Sequence, residues 1–240
     1  MERKDWPMRI VTRPRLGAAA CCLLALAMPA HARRVPFTDT FMTERCTFSS
    51  QGRNPYFILE PGYRLTLESQ SKGEHVVLTI TVLHETLMVD GVETRIVEEH
   101  ETVNDVVAEI SRNYFALCAP SNTVFYFGED VDNYENGAIA NHDGSWRAGV
   151  NGARAGVNMP GLNLVGARYF QEVAPGVALD RAETQSVTES VSTPLGQLEH
   201  VLKVKESSAL EKKARSLKLY APDIGLIKDD DLEITGVTAP

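Results

Sequence analysis

The feature that most constrains this chain is a pair of β-branched segments on either side of Asp90-Gly91. Residues 75–83, HVVLTITVL, alternate almost regularly between apolar and polar side chains, and residues 93–103 follow the turn. Such alternation is typical of a strand with one buried face. Asp-Gly between two such runs is the strongest short-range signal for a β-hairpin. The two segments therefore predict an antiparallel pair of strands.

Strand patterns recur between turn signals along most of the chain. Residues 63–69 alternate before the hairpin, and residues 106–118 and the aromatic segment 123–127 follow it. Shorter strand patterns lie at 168–173, 184–191, 197–206, 215–220 and 226–228. Strands joined by short turns pair antiparallel. We therefore predict a mostly β fold, a single antiparallel, curved meander sheet or partial barrel with a long central loop and little helix.

The first 32 residues are typical of an export signal. Five basic residues precede the apolar run 17–27, which is shorter than the roughly 20 residues that span a bilayer. Ala30-His31-Ala32 matches a small-residue cleavage site. We predict a signal peptide at residues 1–32 and a periplasmic or secreted protein after cleavage near Ala32. The alternatives are an N-terminal anchor helix and lipidation at Cys21 or Cys22.

The mature chain is divided into a lead-in segment at 33–53, a single β domain at 54–228 and an acidic tail at 229–240. The chain has 24 Lys and Arg and 32 Asp and Glu, of which the signal holds five and two, so the mature protein carries 19 basic and 30 acidic residues. The resulting net charge of −11 argues against nucleic acid and anionic lipid surfaces as partners. No later segment is long and apolar enough to cross a membrane as a helix, so we do not expect an integral membrane protein.

Two cysteines remain in the mature chain, Cys46 and Cys118. An even number of cysteines in an oxidising compartment favours a disulfide. A Cys46–Cys118 bridge would close a loop of about 70 residues and stabilise the fold by about 4 kcal/mol in the chain-entropy model. Two separate buried thiols are the alternative. Neither cysteine has C-x-x-C spacing, which argues against a redox or zinc role.

The central segment, residues 128–166, has little periodicity and is rich in glycine. It contains Trp146, which is the single tryptophan left after removal of the signal. Glycine lets the backbone adopt positive φ and approach another group closely. Long loops in compact domains are frequently functional. We therefore predict a loop that lies over the open mouth or concave face of the sheet.

Aromatic and arginine residues in and near the central segment are the candidates for ligand contact. The predicted ligand-binding residues are Trp146, Arg147, Tyr126, Tyr169 and Arg181. The aromatic members would form an apolar wall. One of the two arginines would hold an anionic head group, because a guanidinium binds such groups through two parallel hydrogen bonds. The alternative for Arg181 is a structural ion pair with Glu172 or Asp180.

An acidic stretch at residues 128–137 is the candidate for a metal site. Glu129, Asp130 and Asp132 offer the oxygen ligands that Ca²⁺ prefers. The stretch is not an EF-hand, because its glycine comes too late and its surroundings are predicted strands. A weak calcium site is one hypothesis and a solvated loop the alternative. No other cofactor is predicted.

No catalytic residue is predicted. The sequence has neither the G-x-S-x-G motif of a serine nucleophile nor the H-E-x-x-H motif of a zinc protease. His142 and Asp143 are adjacent, and adjacent side chains point in different directions. An enzyme would instead need Glu129, His142, Asp143 and Glu172 to converge in one cleft.

The central block resembles an uncharacterised family of exported bacterial proteins. The block reads W-x-A-G-x-x-G-A-x-x-G-x-x-M-P from Trp146 to Pro160, and the resemblance extends over about residues 54–228. The chain departs from it at Asp223, where glycine is expected, and at Phe125, where tryptophan is expected. The resemblance implies an architecture similar to the curved, half-open sheets of envelope carrier proteins. It implies no activity.

Three functions fit these observations. The first is non-catalytic binding of a small or lipidic ligand on a concave face covered by the 128–166 loop. The second is an envelope structural or protein-interaction module without a small-molecule site. The third is a hydrolase-like enzyme that uses acidic residues around 128–172. The sequence does not choose among them.

Overall fold

The computed structural model describes residues 35–71 and 73–240. The predicted signal peptide, residues 1–32, lies outside the described residues and stays a prediction. Strands make up 66% of the structure and helix 1%, which confirms the mostly β fold. Within the described ranges, no helix has the length and apolar character needed to span a membrane.

The described residues form eighteen strands and one short 3₁₀ helix, Thr43–Arg45. The first eight strands are β1 Phe48–Ser49, β2 Gly52–Asn54, β3 Phe57–Leu59, β4 Arg64–Ser71, β5 Glu74–Val89, β6 Val92–Val103, β7 Val106–Cys118 and β8 Thr123–Glu135. The next five are β9 Ala138–Asn141, β10 Trp146–Arg147, β11 Arg154–Met159, β12 Arg168–Phe170 and β13 Glu172–Val173. The last five are β14 Asp180–Thr193, β15 Gly196–Ser208, β16 Arg215–Ala221, β17 Gly225–Asp229 and β18 Leu232–Thr238.

Most of these strands form one antiparallel sheet that curves until it nearly closes. Its order is β12-β14-β15-β16-β17-β18-β4-β5-β6-β7-β8-β11-β13. The two ends of this path, β12 and β13, are separated in the chain by Gln171 alone. The Gln171 N–H donates to the Asp180 carbonyl on β14 at 2.8 Å. We call residues 168–173 the seam. The predicted partial barrel is thus confirmed.

The central segment contains more strand than the sequence pattern predicted. β8 continues through the acidic stretch to Glu135, and β9, β10 and β11 all pair with it. Gly128, at φ +135°, allows this pairing, because a Cβ there would overlap the backbone carbonyl of Trp146. β9, β10 and β11 have two to six residues each, too few for a clear alternation of apolar and polar side chains. The remaining turns of the segment connect them.

The sheet extends beyond both boundaries that the sequence suggested for the β domain. β1 lies in the predicted lead-in segment and pairs with β7. β18 lies in the predicted acidic tail and pairs with both β17 and β4. Its inward Ile234 is fully buried. The acidic residues after 228 therefore continue the barrel wall beyond the boundary predicted at 228.

The predicted Cys46–Cys118 disulfide is confirmed, with a Cα–Cα distance of 5.0 Å. It connects the segment before β1 to the end of β7, at a sequence separation of 72 residues. The β2–β3 hairpin packs against β15 and the β16–β17 turn. Tyr56 donates its hydroxyl hydrogen to the carbonyl of His200 at 3.0 Å. This hairpin therefore covers one end of the barrel.

Candidate functional site

The barrel interior changes from apolar to polar along the strands. On β6, Val97 is followed two residues later by Glu99, and side chains two apart in a strand share a face. On β7, Asn113 is paired with Val97 and Ser111 with Glu99. One step along β6 therefore replaces an apolar side chain by a carboxyl group, beside a row of β7 that holds Asn113 and Ser111.

The apolar compartment lies next to the β2–β3 hairpin and contains about 650 Å³ of space, including its open side. Its apolar wall includes Phe57, Tyr63, Leu65, Ile80, Val82, Phe115 and Tyr220. The Phe57 and Phe115 rings meet edge to face with centroids 5.0 Å apart. A wall of apolar and aromatic side chains with a few polar groups is typical of small-molecule sites.

The polar compartment adjoins it and contains about 590 Å³, again including open space. Five side chains line both compartments, namely Glu99, Phe115, Asn158, Glu206 and Lys218. The acidic residues of the polar compartment are Glu99, Glu109, Glu129, Glu172, Asp180 and Glu206. Asp180 is exposed, so the compartment opens to solvent on the β14 side.

Lys218 is the cationic side chain that lines the polar compartment in the described part of the chain. Its Nζ lies 3.2 Å from a carboxylate oxygen of Glu206 and 3.4 Å from one of Asp229. Gln171 Nε2 donates to the other Glu206 oxygen at 2.7 Å. Burial lowers the pKa of Lys218, but Glu206 and Asp229 outweigh it and hold that pKa well above its usual range. The lysine is therefore charged and already paired.

The other acidic groups of this compartment have no such partner. Among the described residues, no lysine, arginine or histidine forms an ion pair with Glu99, Glu109, Glu129, Glu172 or Asp180. The compartment therefore has a strong excess of acceptor and acidic groups.

Burial raises the pKa of these carboxyl groups. It raises the pKa of Glu99 to about 7, although Lys218 opposes the shift. It also raises the pKa of Glu129 to about 7, against the effect of the Tyr126 hydroxyl. The pKa of Glu172 lies well above the usual range through burial and the neighbouring Glu129 charge. All three side chains line the polar compartment, where removal from water disfavours the ionised carboxylate.

Two of the predicted ligand-binding aromatics lie beside this interior. Tyr126 lines the polar compartment and donates its hydroxyl hydrogen to Asn113 Oδ1. Trp146 meets the Tyr126 ring edge to face at a centroid distance of 5.4 Å. Trp146 itself lines a separate surface groove and is 6% exposed. Tyr169 is buried in the core near Thr184 and does not line either compartment.

The two predicted arginines lie outside the interior. Arg147 pairs with Asp130 and stacks over the Tyr114 ring at 4.8 Å. Arg181 lies on the opposite face of β14 from Asp180, with its guanidinium 4.6 Å from the centre of the Phe37 ring. Strand alternation explains this placement, because neighbouring residues face opposite sides. The structure therefore does not bring these arginines to either interior compartment.

The three predicted calcium ligands are not brought together. Glu129 faces the polar compartment, whereas Asp130 pairs with Arg147. Asp132 contacts Arg112 at 3.1 Å and His142 at 2.9 Å. Across residues 35–71 and 73–240, no group of three or more His, Cys, Asp and Glu side chains is placed to hold a metal ion.

The four residues that an enzyme was expected to bring together are split. Glu129 and Glu172 both line the polar compartment. His142 is on the far side of β8, where its Nδ1 contacts Asp132 and the Val131 carbonyl. Asp143 is exposed in the same turn.

Sequence reasoning missed the acidic groups that enter the barrel from its long strands. These are Glu99, Glu109 and Glu206, together with Lys218. A signal was present, because Glu99 follows Val97, Glu206 follows Val204 and Lys218 precedes Tyr220 at a spacing of two. Charged residues that continue an apolar row in a strand are candidates for the lining of a barrel.

Comparisons of the chain with family models, curated proteins and solved structures give no match. The function must therefore be argued from the geometry of the interior.

Proposed function

We propose that this protein is a non-catalytic, exported binding protein that holds a small amphipathic molecule inside its barrel. The observation that carries the proposal is the division of the interior into an apolar and a polar compartment with shared walls. The apolar part of a ligand would pack against Phe57, Val82 and Phe115. Its polar group would reach Glu99 and Asn158, where the two compartments meet.

The interior supports binding over the two alternatives. A module that recognises another protein through its surface has no use for a cavity with buried, unpaired carboxyl groups, which cost stability. Costly polar groups of this kind concentrate at functional sites. The sequence predicted an anionic head group held by Arg147 or Arg181. Because both arginines lie outside the interior, we propose instead a polar group that binds to carboxyl side chains.

The proposal is tested by reducing the apolar space. Val82→Phe adds bulk to the apolar compartment, and Val106→Phe adds the same bulk at a side chain that is 57% exposed. Binding of a solvatochromic naphthylamine probe is measured by fluorescence for both variants. We expect the affinity to fall by about tenfold in Val82→Phe, which corresponds to a loss of about 1.4 kcal/mol of binding free energy. The affinity should stay unchanged in Val106→Phe. Equal binding by both folded variants would exclude the interior site.

A second candidate is an acid–base enzyme, favoured by Glu129 and Glu172. A general acid or base works best with a pKa near the working pH, and Glu129 has a pKa of about 7. An esterase and glycosidase substrate panel should then show turnover that Glu129→Gln reduces by about 10²-fold or more. A panel without any turnover in the wild type would leave binding as the function.

A further inference from the structure

We infer that the ligand is an organic cation, an ammonium or guanidinium group on an apolar body, held with its charge in the polar compartment. The inference rests on the proposed binding function and names the chemistry of the ligand. Three independent observations support it: the unpaired carboxyl groups, an unsatisfied acceptor and the aromatic wall.

The first observation is the charge of the polar compartment. Glu206 is already bonded to Lys218 and Gln171, whereas Glu99, Glu129 and Glu172 have no cationic partner among the described residues. An anionic head group, such as a fatty acid carboxylate, would further oppose the ionisation of these groups, whereas a cation would favour their ionised form. A cationic group would supply the missing partner and would form charge-assisted hydrogen bonds.

The second observation is an acceptor without a donor. Gln171 lines the polar compartment, is 7% exposed and uses its Nε2 on Glu206. Its Oε1 is buried and has no hydrogen-bond partner in the described chain. Buried acceptors are normally satisfied. A ligand with N–H groups would satisfy this one, and a ligand with acceptors alone would not.

The third observation is the aromatic lining between the compartments. The rings of Phe115 and Tyr126 stack with centroids 4.6 Å apart, and both line the polar compartment. Ring surface beside the acidic groups suits a ligand whose charged group is attached to an apolar body. The acidic side chains come from separate strands around the barrel rather than from one compact cluster. This spacing suits a cation with several N–H donors attached to an apolar body.

The experiment compares decylamine, decanol and decanoate by calorimetry with the full mature protein at about pH 8. A primary alkylamine stays charged at this pH, as lysine does. We expect decylamine to bind about tenfold or more tightly than decanol, through charge-assisted hydrogen bonds, and decanoate to bind least. Tighter or equal binding of decanol or decanoate overturns the inference and leaves the proposed binding function intact. Absence of binding by all three overturns both.

Variants locate the bound charge. Glu129→Gln and Glu172→Gln should each weaken decylamine binding by about tenfold and leave decanol binding unchanged. Glu85→Gln, at an exposed position on β5, is the matched control and should change neither. Glutamine has the shape of the neutral glutamic acid and carries no charge that burial would penalise, so we expect both interior variants to fold, which circular dichroism checks. Undiminished decylamine binding in both interior variants would place the cation elsewhere and overturn the inference.

Discussion

Glu99 lines both the apolar and the polar compartment, and burial makes the ionisation of its carboxyl group costly. The titratable groups that affect it are Lys218, Asp229, Glu109 and Glu206. Three of these four are acidic, so they oppose ionisation together with desolvation, and Lys218 favours it. The empty barrel thus holds this side chain largely as a neutral acid below neutral pH.

The raised pKa predicts that stability falls as pH rises. Because the pKa of Glu99 is raised from 4.5 to about 7, the folded protein binds this proton more tightly than the unfolded chain does. This contribution is fully present below about pH 4.5 and is lost as the pH rises through about 7. Melting temperatures between these values should decline, and Glu99→Gln should reduce the decline. An identical decline in Glu99→Gln and in the surface control Glu85→Gln would contradict the assignment.

Gly156 is the residue that lets β11 approach the seam. A Cβ at this position would overlap the carbonyl of Gln171 and lie 2.9 Å from the backbone nitrogen of Glu172. The clash is with backbone, which cannot rotate away. This close approach brings Gln171 and Glu172 into the cavity wall.

Gly156→Ala should therefore destabilise the protein by about 1–3 kcal/mol, the usual cost of overpacking. Gly236→Ala is the matched control, because its Cβ would have ordinary contact with Thr66 at 3.6 Å. Urea unfolding measures both free energies of unfolding. A smaller loss for Gly156→Ala than for Gly236→Ala would show that the seam can move to accommodate the methyl group.

At the scale of elements, the sequence predicted where the strands lie but not which face of each strand lines the barrel interior. β7 has two alternating rows, one with Tyr114 and Ala116 and one with Asn113 and Phe115, and the second row lines the interior. Both rows are buried in this stretch, so alternation alone did not distinguish them. The sequence predicted a partial barrel but not that its two ends meet at the seam, because β12 and β13 have only three and two residues.

The disulfide connects the predicted lead-in segment to β7. With a sequence separation of 72 residues, it restricts the unfolded chain substantially. Reduction should lower the free energy of unfolding by about 4 kcal/mol in the chain-entropy model. Urea unfolding with and without reductant measures the loss. In a Cys46→Ala and Cys118→Ala double variant, the reductant should have no further effect, and a residual effect would contradict this assignment.

At the scale of the whole molecule, closure of the wall depends on the last strand. β18 pairs with β17 on one side and with β4 on the other, where Val237 is paired with Leu65. Deletion of residues 229–240 should abolish cooperative unfolding, since it exposes two strand edges and the interior. Deletion of residues 239–240 alone, after the end of β18, should leave the melting transition in place. A cooperative transition in the longer deletion would show that the wall does not need β18.

The β18–β4 pairing also determines when this chain can acquire its structure. Leu65 is synthesised early, whereas its partner Val237 lies far downstream in the chain. Contacts between such distant positions form slowly, because the chain between them must be ordered first. A ribosome-bound chain therefore has an open sheet until residues 232–238 emerge. Closure of the barrel is consequently a late step, which waits for β18 however early the first hairpins pair.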